Sequence, residues 1–299
     1  MSKRRKKDTV SELRWIANVL RSPRTWIVLA WIGTFAVIAN GLNKLDPFVQ
    51  RLNFGDTRIE WVGVPDWLTG RQWRHVLDDL EEKVNLHPDS MPYDSRVCPW
   101  VAEQLSDSPW ISSVRRVCKL YDGRVRVYAD FRRPFAVIER AGIAYLIDEA
   151  GVRLPEQWPG YASNRSGWLV MQGVKQGVPA LGERWPGPDV VDGLKLIRYL
   201  YSAERAGRLP FRQELRAIDV TNYDGKQDRY AGRLRLITKS PESYIHWGRP
   251  PEEEYGVESS AEMKLAMLAS LYSTANGLPD EGPIDVRTEN LIGIGTPSK

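Results

Sequence analysis

Residues 108–136 read SPWISSVRRVCKLYDGRVRVYADFRRPFA. From Arg124 the sequence alternates. Val125, Val127, Ala129 and Phe131 fall on one side, and Arg124, Arg126, Tyr128 and Asp130 on the other. That period of two predicts a strand with one buried face. Asp122-Gly123 is a tight-turn signal, so residues 110–120 are expected to form the strand returning beside it. Working backward, Val97, Val101 and Leu105 stand four apart and predict a short helix over 97–105. Residues 85–93, with two prolines, read as a loop. Before them, Trp73, Val76, Leu77, Leu80 and Val84 make one helical stripe. Thr69 is the expected N-cap, with Gln72 at capping-box spacing. Residues 58–62 read as a strand. The order is strand, helix, helix, strand, strand, and two helices on one face of a small sheet would bury both stripes.

Working forward, residues 135–138 and 143–147 are expected to pair around a turn at Ala141-Gly142. A helix is predicted over 189–206, with Val190, Val191, Leu194, Ile197 and Tyr201 on one face. Strands are expected at 216–221, 232–238 and 243–247. Ser259 and Glu262 read as a capping box opening a helix with Leu265, Leu268, Leu271 and Tyr272, ending near Gly277 and Pro279. The last strand runs from Ile284 to Arg287 and continues over 291–295. The fold class is α+β: a β-α-α-β-β module over 57–133, then a mixed β-sheet domain with two or more helices over 134–299.

This order resembles a POTRA module followed by the β-domain of the cell-division proteins FtsQ and DivIB. Ser108-Pro109-Trp110-Ile111, Gly123-Arg124-Val125-Arg126-Val127 and Arg132-Arg133-Pro134-Phe135-Ala136 are similar to that family's hairpin. Phe131 stands where the family has an acidic residue. Ile147-Asp148-Glu149-Ala150-Gly151 resembles its aspartate-glycine turn, and Tyr244 to Gly248, Lys264-Leu265 and Ile284-Asp285-Val286-Arg287 resemble its closing pattern. The resemblance implies a divisome scaffold that helps control septal peptidoglycan synthesis. It implies FtsB/FtsL-type (DivIC-like) single-pass partners that add a strand along Ile284, Asp285, Val286, Arg287, Thr288, Leu291 and Ile292. It also implies recruitment by upstream division proteins near Trp61, Val62 and Gly63. Pro283 precedes the Asp-x-Arg segment, and Thr288-Glu289-Asn290 stands where the family has a glycine turn. A proline in the ladder, such as Val286→Pro, is expected to abolish partner capture and leave the rest intact.

The N-terminal 24 residues carry eight Lys/Arg and two Asp/Glu. That leaves 34 of the 42 basic and 36 of the 38 acidic residues for the rest of the chain, so the pI near 9.0 belongs to the tail. The remainder offers no electrostatic reason to bind nucleic acid. Residues 25–43 are free of charge and close to the roughly 20 residues that cross a bilayer. They are expected to form a transmembrane helix, with residues 1–24 cytoplasmic, 44–56 a linker and the folded modules outside the inner membrane. Val37-Ile38-Ala39 also fits a signal-peptide cleavage site, and a buried helix of a soluble core is the third reading. Together with the anchor, the resemblance implies a position in the cell inner membrane at the division site.

The 299 residues contain only two cysteines, which excludes a disulfide-dense scaffold or a multi-Cys metal site. A hydrophobic content of 42% excludes wholesale disorder. Cys98 and Cys118 are a candidate disulfide, with two buried thiols as the alternative. His75, His87 and His246 are scattered, and no metal-ligand, nucleophile-elbow or phosphate-loop spacing occurs. Glu252-Glu253-Glu254 reads as a solvated run in a proline-rich loop. The twelve tryptophans are expected to pack, Trp61, Trp73, Trp100 and Trp110 among them. The chain is therefore expected to be an interaction protein without a cofactor, not an enzyme. A POTRA-bearing chaperone for secretion or outer-membrane assembly, and an anchored cell-wall binder or hydrolase, are the alternatives.

Overall fold

The computed structural model describes residues 23–51, 58–84, 96–120, 124–159, 167–228, 232–240, 242–288 and 292–293. The expected loop over 85–93, with His87, and the turn at Asp122-Gly123 lie outside the described residues, as do Leu291 and residues 1–22 of the basic tail.

The first module forms as its periodicity predicts. Strand β1 (Ile59–Val62) pairs parallel with β3 (Val125–Phe131), and β2 (Ile111–Lys119) pairs antiparallel with β3. Sheet order is β1-β3-β2. Val125, Val127 and Ala129 are buried, while Asp130 is exposed. They face α3 (Arg74–Val84), through Val76, Leu80 and Val84, and α4 (Val97–Ser106), through Val97, Val101 and Leu105. Thr69 does not cap the long helix. It ends a separate short helix, α2 (Asp66–Thr69), and its hydroxyl donates to the Asp66 carbonyl at 2.8 Å. Gly70 then takes an extended conformation and breaks the run.

The second sheet has nine strands in the order β12-β11-β10-β9-β8-β7-β4-β5-β6. Strands β4 (Pro134–Arg140) and β5 (Ile143–Asp148) form the expected hairpin. Ala141 (φ 50°) and Gly142 (φ 75°) both have positive φ, as a tight hairpin turn requires. Strand β6 (Arg153–Pro159) is not legible in the sequence, because its two prolines read as punctuation. They are tolerated at the sheet edge, where a missing N–H costs little. Strands β7 (Val170–Gln172), β8 (Leu215–Asp219), β9 (Leu234–Thr238), β10 (Ser243–Gly248), β11 (Gly282–Asp285) and β12 (Ile292–Gly293) complete the sheet. Three pairings are parallel: β4 with β7, β7 with β8, and β10 with β11.

Helices α5 (Pro188–Arg205) and α6 (Ala261–Ala275) pack on one face. Ser260 caps α6, its hydroxyl accepting the Met263 N–H at 3.3 Å, so the expected cap at Ser259 is displaced by one residue. Ser259 is instead buried.

The opposite face of this sheet meets the first module. Alternate residues of β4 and β5 divide between two cores. Ala136, Ile138, Tyr145 and Ile147 join the α5/α6 side, while Val137, Ala144 and Leu146 join the core of the first module. Strands buried on both faces read as continuous apolar runs, which is how AVI and AYLI stand in the sequence. The junction is aromatic. The Trp73 ring lies 5.9 Å from Trp168, 5.6 Å from Trp110 and 6.0 Å from Trp67, and Trp158 stacks on Trp168 at 6.3 Å. His75 on α3 reaches Glu156 on β6 at 2.9 Å.

Helix α1 (Pro23–Arg51) covers the segment expected to span a bilayer. Among the described residues, however, no helix is long and apolar enough to cross a membrane. The transmembrane expectation over 25–43 is corrected on that finding. The most apolar stretch, residues 27–38, is about 18 Å long at 1.5 Å per residue, against a hydrocarbon thickness of about 30 Å. Asn40, Asn43, Lys44 and Asp46 follow within the same helix.

Candidate functional site

The residues expected to capture a partner lie at one end of the second sheet. Side chains alternate there between core and surface. Ile245, Trp247, Ile284 and Val286 point inward and are buried. Tyr244, His246, Asp285 and Arg287 take the opposite phase. Register places Asp219, Arg235, His246 and Asp285 directly opposite one another across β8, β9, β10 and β11. Arg235 donates to Asp219 at 2.6 Å. Arg287 grips Asp285 with two nitrogens, Nε at 2.9 Å and Nη2 at 2.6 Å, in a charge-assisted fork. Arg235 lies over the Tyr244 ring at 5.5 Å, and Tyr244 meets His246 edge-on at 5.1 Å.

Within this row Asp285 and His246 depart from their ordinary pKa values. Burial alone would raise the Asp285 carboxyl, but hydrogen bonds from Arg287 hold it below the usual range. Burial, then the charges of Arg287 and Arg235, push His246 down, although Asp285 and Asp228 oppose this. His246 Nδ1 accepts the Gly232 N–H at 3.2 Å, which assigns the neutral ring with its proton on Nε2. Because its folded pKa is depressed, the neutral form contributes stability that is present above the ordinary histidine pKa and is lost as pH falls through it. An NMR titration of the His246 ring is expected to give a midpoint below 6.5. A midpoint at or above that value would contradict this account of the row.

The expected docking segment is more embedded than its sequence suggests. Ile284 and Asp285 are paired on both sides, to β10 and to β12. Val286 is fully buried, and its N–H donates to the His246 carbonyl at 3.4 Å. Val286→Pro would therefore damage the core as well as any capture surface, so it does not test capture alone. Thr288 is exposed. Ile292 belongs to β12, the outermost strand among the described residues, and pairs with Asp285.

In the first module, Trp61 and Val62 end β1, itself an outer strand of its sheet, and Gly63 follows it. Trp61 donates to Glu81 at 3.0 Å and packs on Phe131 at 5.6 Å. Val62 pairs with Tyr128, and Gly63 turns the chain at φ 75°. The strand therefore presents its backbone, while its tryptophan is already engaged. Cys98 and Cys118 are free, half-buried thiols, and the candidate disulfide is not formed.

The sequence reading missed the segment over 249–260, which closes one end of the sheet. Lys264 lies in the apolar stripe of α6 and is fully buried. Its ammonium lies 2.7 Å from Glu258 and 4.0 Å from Glu254, above the Trp247 ring at 5.3 Å. Glu258 also accepts the Arg249 N–H at 2.7 Å, and Glu253 pairs with Lys195. The acidic run is thus partly spent on internal pairs and is not a wholly solvated face. A lysine at core spacing between Ala261 and Leu268 is the signal that could have revealed it. Among the described residues, no group of three or more His, Cys, Asp or Glu is placed to hold a metal ion.

No protein-family model and no curated protein matches this sequence.

Proposed function

We propose that the chain is a non-catalytic scaffold of the bacterial cell-division machinery, similar in plan to FtsQ and DivIB. It binds FtsB/FtsL-type, DivIC-like partners by strand addition at the outer side of the second sheet. Upstream division proteins engage the β1 edge at Trp61, Val62 and Gly63. Through these contacts it helps to control septal peptidoglycan synthesis.

The observation that carries it is the outer strand. Strand β12, described at Ile292 and Gly293, has no described strand beyond it. Such an edge offers backbone N–H and C=O groups to an added chain, while alternate side chains supply selectivity. The charged row behind it gives a partner strand polar groups to read. Ile292→Pro removes one N–H from the outermost strand without touching Val286. Capture of a DivIC-like partner is expected to fall at least about tenfold, the effect of a lost hydrogen bond and its unpaired partner, with the unfolding midpoint unchanged. Unchanged capture would remove the edge from the mechanism. A fluorescent protein fused at Met1 is expected to form a band at the division site. An even distribution around the cell would count against the divisome reading and favour the chaperone or wall-binding alternatives.

A further inference from the structure

Tyr255 and Val257 are the two most exposed large apolar side chains among the described residues, at 78% and 90%. They flank Gly256, whose φ of 71° turns the tip of the loop between β10 and α6. Met263, in the first turn of α6, is exposed as well. Loop tips are ordinarily mobile and polar. This one is apolar, and its stem is held at several points. Pro250 and Pro251 are buried, and the Pro250 carbonyl accepts the Glu253 N–H at 3.1 Å. Glu253 pairs with Lys195 on α5. Glu258 binds Lys264 on α6 and the Arg249 N–H at the end of β10, each at 2.7 Å. The Ser259 N–H donates to the Arg287 carbonyl at 2.8 Å. Arg249 lies over the Tyr255 ring at 5.6 Å, and the ring is otherwise open to solvent. Adjacent apolar side chains presented on a fixed support are docking anchors, because little conformational freedom remains to be lost on binding.

The place of the tip and its charge narrow the occupant. The bond from Ser259 to Arg287 ties the loop to the segment that leaves β11 for β12. Ile284 pairs with Gly293 and Asp285 with Ile292, so the turn between those strands lies at the loop's end of the sheet. A chain added along β12 therefore has one of its ends beside this loop. The tip is bordered by acid. Glu252 is exposed and has no ion pair among the described residues, and the Glu262 side chain is exposed at the start of α6. An apolar side chain with a cation next to it complements such a surface. We infer that the strand-adding partner carries, next to its added strand, an apolar stretch flanked by lysine or arginine, and that this stretch packs on Tyr255 and Val257. The inference rests on the strand-addition reading above.

The full chain should be titrated by calorimetry with the purified DivIC-like partner of the same organism. The double variant Tyr255→Ser, Val257→Ser is expected to lose at least about tenfold in affinity, the loss typical of a truncated tyrosine anchor. Its urea midpoint is expected to stay unchanged, because neither side chain is buried. Glu252→Lys is expected to weaken binding several-fold at low salt and less at high salt. A photo-crosslinking phenylalanine at position 255 is expected to join the chain to the partner. Unchanged affinity in the double variant, with Ile292→Pro still weakening capture, would overturn this inference and leave the edge reading standing. No binding by the unaltered chain would overturn both. Crosslinks that join only two copies of this chain would assign the tip to self-association and overturn the inference alone.

Discussion

Glu258→Ala is expected to destabilise the protein by about 3–5 kcal/mol, the range for removing one partner of a buried ion pair. The change leaves the ammonium of Lys264 wholly buried, with Glu254 at 4.0 Å as its remaining carboxylate. It also removes the acceptor of the Arg249 N–H. Lys264→Met should behave quite differently. Burial pushes the lysine pKa down, and this outweighs the opposing pull of Glu258 and Glu254. The charged lysine is therefore held at a cost that an apolar side chain of similar length removes, and Glu258 keeps the Arg249 side chain at 3.7 Å as a remaining cation. Lys264→Met, which still takes the ammonium from Glu258 and Glu254, is expected to destabilise clearly less than Glu258→Ala. Urea unfolding of both variants measures the contrast, read from the midpoint with the slope held constant. If Lys264→Met proves as harmful as Glu258→Ala, the pair is a true source of stability and this account is wrong.

Trp73→Ala should have a comparable effect for a different reason. Its ring is buried and touches Trp67, Trp110 and Trp168 at once. Truncating a buried aromatic costs about 3–5 kcal/mol, from lost burial plus the cavity left behind. This tryptophan also stands where the first module meets the second sheet. Its loss is expected to turn a single unfolding transition into two, as the shared core separates. Calorimetry distinguishes the outcomes. A single transition with a cost below about 1 kcal/mol would mean that the other tryptophans hold the junction without it.

Local signals carried most of the fold. The alternation over Arg124 to Phe131, the stripes of α3 and α4, and the Ala141-Gly142 turn are all encoded within a few residues of one another. The errors fell where neighbours in sequence do not decide. Thr69 has the chemistry of a cap but spends its hydroxyl on the turn behind it. Strand β6 hides behind its prolines. The length and apolarity of α1 could be judged only once its helical limits were known. The candidate site was half legible. Its strand was visible, but the pairing of β12 over Ile284 and Asp285 is a long-range event. The row from Asp219 to Asp285 draws on four separate strands, and no local pattern announces it. Nothing in the sequence says that Trp73 meets Trp168.

That meeting has a mechanical consequence. The first module and the second sheet are joined through one continuous apolar cluster, as well as by the covalent chain. A flexible tether lets two bound molecules wander and sets only their average local concentration. A fused body behaves instead like a calliper with its jaws locked. Molecules held at β1 and at β12 would keep one separation and one mutual angle. Any change in the distance between them would have to be absorbed by slack in their own chains.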